Sequence, residues 1–179
     1  LNFKDRPAWA SQAVVDAGIH ALKQGKTHYT PAVGLPELRE AIADYYLSQF
    51  QAKIDPRRVV VTPGASGALQ LILAMLVDPG SQVLMADPGY PCNRNLVFLF
   101  EGEPVMVPVE AQHHYQLSTE LLQHYWSDRT SCVMVASPSN PTGTVISRDR
   151  LEALLQTVRD RGGQLLVDEL YQSLWYEEM

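Results

Sequence analysis

The segment SCVMVASPSNPTGTVISRDRLEALLQTVRDRGGQLLVD, residues 131–168, decides the fold class. Its two ends, residues 131–136 and 164–168, are short apolar runs, typical of strands that are covered on both faces of a sheet. Between them, residues 147–161 carry leucines at helical spacing, with Ser147 as the expected N-cap and Gly162-Gly163 as the expected end. A strand, a helix and a second strand in this order predict a parallel pair of strands joined by a helix.

The same alternation continues towards the N-terminus. Apolar runs predict strands at residues 58–62, 82–86 and 103–107, and the remaining pattern predicts helices at residues 7–25, 36–50, 66–77, 93–100 and 117–126. In the helix at 36–50 we expect four side chains to face inward, namely Leu38, Ile42, Tyr45 and Tyr46. The predicted fold is α/β, with three layers (α/β/α) and a mainly parallel sheet.

Composition and charge argue against several kinds of partner. The chain has 179 residues, of which 46% are hydrophobic, so it is long enough for one domain with a core. Its net charge is −6 and it has no basic run, which argues against binding to nucleic acid or to an anionic membrane surface. The longest apolar stretch, residues 68–77, is too short to cross a bilayer. No signal peptide is visible at the N-terminus.

Cysteine and histidine spacing predicts neither a disulfide framework nor a metal site. Cys92 and Cys132 form no CxxC pair, so we expect free thiols in a reducing cytoplasm. The five histidines show no metal-binding spacing, and His113 and His114 lie in a polar stretch that we interpret as a loop.

Four polar or turn-forming clusters lie at the carboxyl ends of predicted strands, where ligands gather in parallel sheets. The first, TPGASGAL at residues 62–69, joins a strand to a helix. Its backbone N–H groups and the helix dipole suit an anion, although such turns are often only tight turns. Ser66 could donate a hydroxyl to that anion or cap the helix. In the second cluster, ADPGYP at residues 86–91, Tyr90 could stack on a flat ring or pack on the surface.

The other two clusters offer an amide and a carboxylate. In SPSNPTG, residues 137–143, two prolines make the backbone rigid around Asn140. Its amide either donates to a ligand or bonds to its own backbone. Asp168 ends the apolar run LLVD, and a buried carboxylate there would need a cationic partner. Strands also end in Asp for no catalytic reason. Tyr171 lies three residues further on and could reach the same ligand.

Together and in this order, the clusters resemble fold-type I aminotransferases of class I/II, which depend on pyridoxal 5'-phosphate (PLP). The resemblance begins at HYTPAVGLPELR, residues 28–39, which is similar to the family's YTPxxGxPELR segment, and it continues to Tyr171. It implies the large PLP-binding domain of that fold, truncated here. Residues 1–30 would form an N-terminal helix and connection, and residues 31–179 a partial large domain.

The resemblance also implies a role for each matching residue. Gly64, Ala65 and Ser66 would hold the PLP phosphate, and Tyr90 would stack on the pyridine ring. Asn140 and Tyr171 would donate hydrogen bonds to the phenolic oxygen of the ring. Asp168 would pair with the protonated ring nitrogen, which deepens the electron sink that the cofactor provides. Asp168 and Tyr171 are thus the expected catalytic residues.

Two more residues receive roles from the resemblance, both towards the N-terminus. Tyr29 would reach the PLP phosphate of the neighbouring subunit, so we expect a homodimer. Gly34 would lie near the substrate, as would Asn140. The substrates implied are an amino acid and a 2-oxo acid.

The sequence departs from the family at the Schiff-base lysine, which is absent from this chain. Its lysines are Lys4, Lys23, Lys26 and Lys53, none of them in the family's Ser/Thr-x-x-Lys context, and the chain ends eleven residues after Asp168. We therefore expect a fragment that does not transaminate alone and that leaves apolar surface uncovered. For the parent protein we expect an aminotransferase. A PLP-dependent lyase, a sensor domain of a transcription regulator and a degenerate domain remain alternatives.

Overall fold

The computed structural model describes residues 10–174 of the chain. The chain divides into two compact units, residues 1–62 and residues 63–179. The predicted boundary between residues 30 and 31 concerns the domains of the parent protein and stays a prediction. No helix within residues 10–174 is long and apolar enough to cross a membrane.

From residue 10 onward, the first unit contains two helices and one short 3-10 turn. Helix α1 spans Gln12–Lys23, helix α2 spans Pro36–Phe50 and the turn spans Pro56–Arg58. The bounds predicted for α2 are confirmed, because Pro36 occupies the first turn and Gln51 ends the helix in the left-handed conformation (φ 55°).

The inward face predicted for α2 is wrong in part. Leu38 is 44% exposed and Tyr45 is 47% exposed. Ile42 and Tyr46 are half-buried, and the buried residue of the helix is Ala43. The described part of the chain therefore leaves much of this apolar face uncovered.

The strand predicted at residues 58–62 is also wrong. Within the first unit, the Val61 N–H donates to the Val33 carbonyl at 3.0 Å. The Arg39 guanidinium donates to the Val59 carbonyl at 2.9 Å. The backbone thus bonds to a loop and to a side chain, and a β-branched run forms a strand only where another strand pairs with it. The cluster that begins at Thr62 follows an extended segment.

The second unit contains a four-stranded parallel sheet. Its strands are β1 (Gln82–Asp87), β2 (Glu103–Pro108), β3 (Thr130–Ala136) and β4 (Gln164–Asp168). Within residues 63–174, four α-helices accompany them, namely α3 (Gly64–Leu76), α4 (Pro91–Leu99), α5 (Thr119–Tyr125) and α6 (Arg148–Asp160). The order in the sheet is β2-β1-β3-β4 and every pairing is parallel, so the predicted parallel sheet is confirmed.

Helices cover both faces of this sheet. Val83 and Met85 of β1 belong to a core cluster that includes residues of α3 and α4. Leu84, which points to the opposite face because side chains alternate along a strand, belongs to a second cluster with residues of α5 and α6. The three-layer architecture is therefore confirmed, and its apolar strands reflect burial on both sides.

The strand order creates a crevice at the carboxyl ends of the strands. The chain passes from β1 outward to β2, then returns to the other side of β1 for β3 and β4. The loops that leave β1 and β3 consequently diverge to opposite sides. In open α/β sheets, ligands bind outside the carboxyl ends of the strands at such a switch point.

Candidate functional site

A pocket of about 230 Å³ opens at this switch point. It lies wholly within the second unit and is lined by every site residue that the sequence predicted there. These residues are Gly64, Ala65, Ser66, Tyr90, Asn140, Asp168 and Tyr171. Four chain segments that are distant in sequence therefore meet at one place.

One wall of the pocket is the N-terminus of α3. The helix begins at Gly64 (φ 75°), and Pro63 at the N-cap position offers no side-chain hydrogen bond. Ser66 lies inside the first turn, so it does not cap the helix. An α-helix leaves the N–H groups of its first turn without intrahelical partners and carries about half a positive charge there. This wall is therefore suited to an anion such as a phosphate group.

Asp168 provides a carboxylate at the end of β4. Its Oδ1 accepts a hydrogen bond from the Leu170 N–H at 3.0 Å. Its backbone is fixed by pairing with Ala136 of β3 and by a bond from the Ser137 N–H at 3.0 Å. Among the described residues that line the pocket there is no Lys, Arg or His. The described lining therefore leaves this carboxylate without a cationic partner, and a cationic group of a ligand fits there.

Tyr90 follows β1 and stands at the N-cap position of α4. It is 45% exposed. A hydrogen bond with the Cys92 side chain, and the electrostatic interaction with that side chain, raise the pKa of Tyr90 above its ordinary value. Loss of hydration and the nearby Tyr171 act in the same direction. The phenol thus stays neutral at physiological pH, and its ring can lie against a flat ligand.

Asn140 belongs to the loop of residues 137–144, which follows β3. The loop is braced internally, because the Ser139 N–H donates to the Thr144 carbonyl at 2.9 Å and the Gly143 N–H donates to the Ser139 carbonyl at 2.8 Å. No hydrogen bond described within residues 10–174 involves the Asn140 amide, so the alternative in which it bonds to its own backbone is not observed. Half-buried Tyr171 lines the same pocket.

Asn93 lines the pocket but was not predicted from the sequence. It lies on α4, three residues after Tyr90, and is only 7% exposed. Its Oδ1 is buried without a hydrogen-bond partner among the described residues. An unsatisfied buried polar atom costs about 1–3 kcal/mol, so a ligand that donates a hydrogen bond there would relieve a real penalty. The sequence feature that could have indicated Asn93 is its position three residues after Tyr90, which is one helical turn.

The lining fits PLP. A helix N-terminus suits its phosphate, a carboxylate suits its protonated ring nitrogen, and Tyr90 suits its ring face. The Asn140 amide and the Tyr171 hydroxyl suit its phenolic oxygen. Among the described residues, no cluster of His, Cys, Asp and Glu could hold a metal ion.

The remaining predicted residues, Tyr29 and Gly34, belong to the first unit. Tyr29 is fully exposed. Gly34 has φ 99°, and a Cβ there would lie 2.5 Å from the Val61 Cγ2 atom, so the backbone itself requires a glycine. Their expected roles towards a partner subunit and a substrate stay predictions.

Comparison with known proteins identifies the family. The model for aminotransferase class I and II matches residues 3–179, nearly the whole chain. The chain belongs to the class I and II aminotransferases. Among solved structures, an aminotransferase from Mycobacterium tuberculosis superposes with a TM-score of 0.91 at 37% identity, covering 96% of this chain and 47% of that one. The aspartate aminotransferase from Thermus thermophilus with maleate gives 0.87 at 33% identity, covering 92% and 43%.

Curated relatives within the family have different named activities. A (5-formylfuran-3-yl)methyl phosphate transaminase from Methanocaldococcus jannaschii is 36% identical over 92% of this chain and 41% of its own length. A valine–pyruvate aminotransferase from Mycobacterium tuberculosis is 37% identical over 99% of this chain and 45% of its own. This family member thus spans less than half the length of these relatives.

Proposed function

We propose that the protein containing this chain is a PLP-dependent aminotransferase that moves an amino group from an amino acid to a 2-oxo acid. The observation that carries the proposal is the Asp168 carboxylate in a pocket whose described lining supplies no cation, with the N-terminus of α3 in the same lining. A ligand with a phosphate and a protonated ring nitrogen satisfies both groups. The named activities of the relatives support amino-group transfer as the reaction.

The residues of this chain bind and orient the cofactor. When bound, PLP supplies an electron sink that stabilises negative charge at the α-carbon of the substrate. The N–H groups at the start of α3 hold the phosphate. Asp168 holds a proton on the ring nitrogen, because an ionised carboxylate favours the charged form of its partner. The Tyr90 ring covers one face and excludes water from it.

The proton transfer at the substrate α-carbon needs a base, and residues 63–179 contain no lysine that could serve as one. All four lysines of the chain lie within residues 1–62, none of them in the family's sequence context. We assign this role to a lysine in the part of the protein outside these 179 residues. Asn140 and Tyr171 hold the phenolic oxygen of the ring in hydrogen bonds, which fixes the ring while that proton moves.

The same proposal covers assembly and location. The active unit is a homodimer in which Tyr29 reaches the phosphate bound by the neighbouring subunit and Gly34 lies near the substrate. The protein works in the cytoplasm, which agrees with two free cysteines, Cys92 and Cys132. The net charge of −6 gives no support for a nucleic-acid partner.

The test uses the full-length protein, PLP, a panel of amino acids and either pyruvate or 2-oxoglutarate as acceptor. We expect one new amino acid for each new 2-oxo acid, with no product when the acceptor is left out. Ammonia released together with a 2-oxo acid in the absence of an acceptor would instead identify a lyase. Tight PLP binding without turnover of any amino acid would identify a sensor domain.

A further inference from the structure

Gln116 is a buried amide that sequence patterns do not single out. It lies between the 3-10 turn Ala111–His113 and helix α5, and it is 2% exposed. Its Nε2 atom lies 3.1 Å from each of three acceptors, which are the Ala136 carbonyl, the Thr144 carbonyl and the Thr144 hydroxyl. A buried donor that is fully used in this way fixes the groups that it contacts.

These three acceptors lie at the two ends of the loop that carries Asn140: one belongs to Ala136 and two belong to Thr144. Ala136 is the last residue of β3, and Thr144 closes the loop through its bond from the Ser139 N–H. The Gln116 side chain thus bridges Ala136, where the chain leaves β3, and Thr144, where the loop closes before α6. Asn140 lies midway between those points and lines the pocket.

Gln116 is itself held in place from α6. The Arg150 guanidinium donates to three backbone carbonyls of one short segment, namely Gln116 at 2.8 Å, Leu117 at 2.8 Å and His113 at 3.0 Å. Three donors from one rigid, planar group leave that segment little freedom. The Gln116 amide therefore approaches the loop from a fixed backbone.

We propose that Gln116 is a positioning residue that acts through Asn140, holding the loop of residues 137–144 so that the Asn140 amide meets the cofactor. This inference rests on the proposed function, since it takes Asn140 as a ligand of the phenolic oxygen. It differs from a purely structural role, in which Gln116 only satisfies buried carbonyls and the pocket does not depend on it.

A double-mutant cycle on the full-length protein separates these two roles. The cofactor-free protein is titrated with pyridoxamine 5'-phosphate, which has no aldehyde and so reports non-covalent contacts, and binding is followed by fluorescence. The variants are Gln116→Met, Asn140→Ala and both together. Each single change should weaken binding about 2- to 10-fold, the value of one neutral hydrogen bond. In the Asn140→Ala background, Gln116→Met should cause no further loss.

Two additional variants keep the test sharp. Gln112→Leu removes an exposed amide that bonds to Glu110 and not to the loop, and it should leave the affinity unchanged. If Gln116→Met prevents folding, judged by circular dichroism, Thr144→Val serves instead, because it removes one Gln116 contact with little change in shape. Its smaller loss of affinity should also disappear when Asn140 is alanine.

Each outcome decides between the two proposals. Equal losses from Gln116→Met in both backgrounds, or no loss in either, would overturn the positioning role while the cofactor site stands. If Asn140→Ala leaves the affinity unchanged, Asn140 is not a ligand of the cofactor and the positioning role is overturned, while the proposed function stands. If pyridoxamine 5'-phosphate does not bind at all, the proposed function fails and the positioning role falls with it.

Discussion

Replacing Asp168 with asparagine removes one charge from the pocket and little else. The two side chains have the same shape, and the amide oxygen of the new side chain can still accept the bond from the Leu170 N–H that now lies 3.0 Å from Asp168 Oδ1. The second carboxylate oxygen becomes an NH2 group that donates and cannot accept. The described pocket lining has no Lys, Arg or His, so the change leaves no cation of this lining unpaired.

The magnitude follows from the bond that is lost. A hydrogen bond to a charged group contributes about 1.5–3 kcal/mol net, and 1.4 kcal/mol corresponds to about a tenfold change in affinity. Asp168→Asn should therefore weaken binding of pyridoxamine 5'-phosphate about 10- to 150-fold. The loss of turnover should be about 100- to 1,000-fold, the scale of a preorganised electrostatic contact, because the charge also favours the transition state.

The assay is fluorescence titration of the cofactor-free full-length protein, followed by steady-state kinetics. Glu169→Gln is the matched control, since it removes the neighbouring carboxylate, which is exposed and does not line the pocket. The control should bind and turn over normally. Equal affinity of Asp168→Asn and the unchanged protein would refute the pairing of this carboxylate with the ring nitrogen.

Three further predictions concern the fold. Gly34→Ala should lower stability by about 1–3 kcal/mol in thermal unfolding, because its φ is 99° and its Cβ would overlap Val61, whereas Gly18→Ala meets nothing within 4 Å and should be neutral or stabilising. At pH 8, mass spectrometry after treatment with a thiol reagent should find exposed Cys92 modified and Cys132 intact, since burial raises the pKa of Cys132 to about 12; equal labelling would contradict this. Leu154→Ala should cost about 2–5 kcal/mol in denaturant unfolding, and a loss below about 1 kcal/mol would mean that this core position relaxes.

The sequence predicted the second unit well because each local signal there agrees with its tertiary setting. The strand at 164–168 is apolar because it packs on both faces of the sheet: Leu166 belongs to one core cluster, and Leu165 and Val167 pack against the other. Ser147 caps α6 as expected, with its Oγ accepting from the Arg150 N–H. The strand predicted at 58–62 failed because β-branched residues report only a preference, and no pairing partner exists for them among the described residues of the first unit.

The sequence predicts a residue of the candidate site only where that residue stands in a recognisable local pattern, such as the position after a strand end. Tyr90, Asn140 and Asp168 follow strand ends, so the parallel order of the sheet brings them together. Gln116 stands in no such local pattern, because the carbonyl groups to which it donates lie 20 and 28 residues away in the sequence. Asn93 is similar, since a polar residue near the start of a helix usually faces water, and its burial depends on the packing of α4.

The charge distribution of the pocket restricts the choice of ligand more than the volume of the pocket does. The N-terminus of α3 supplies partial positive charge, Asp168 supplies a carboxylate, and the other described lining residues include no Asp, Glu, Lys, Arg or His. A simple anion leaves the carboxylate unpaired, and a simple cation leaves the helix terminus unused. A ligand that carries both charges satisfies both groups at once. A phosphorylated, protonated pyridine carries both charges, which is why the proposed cofactor fits this charge distribution.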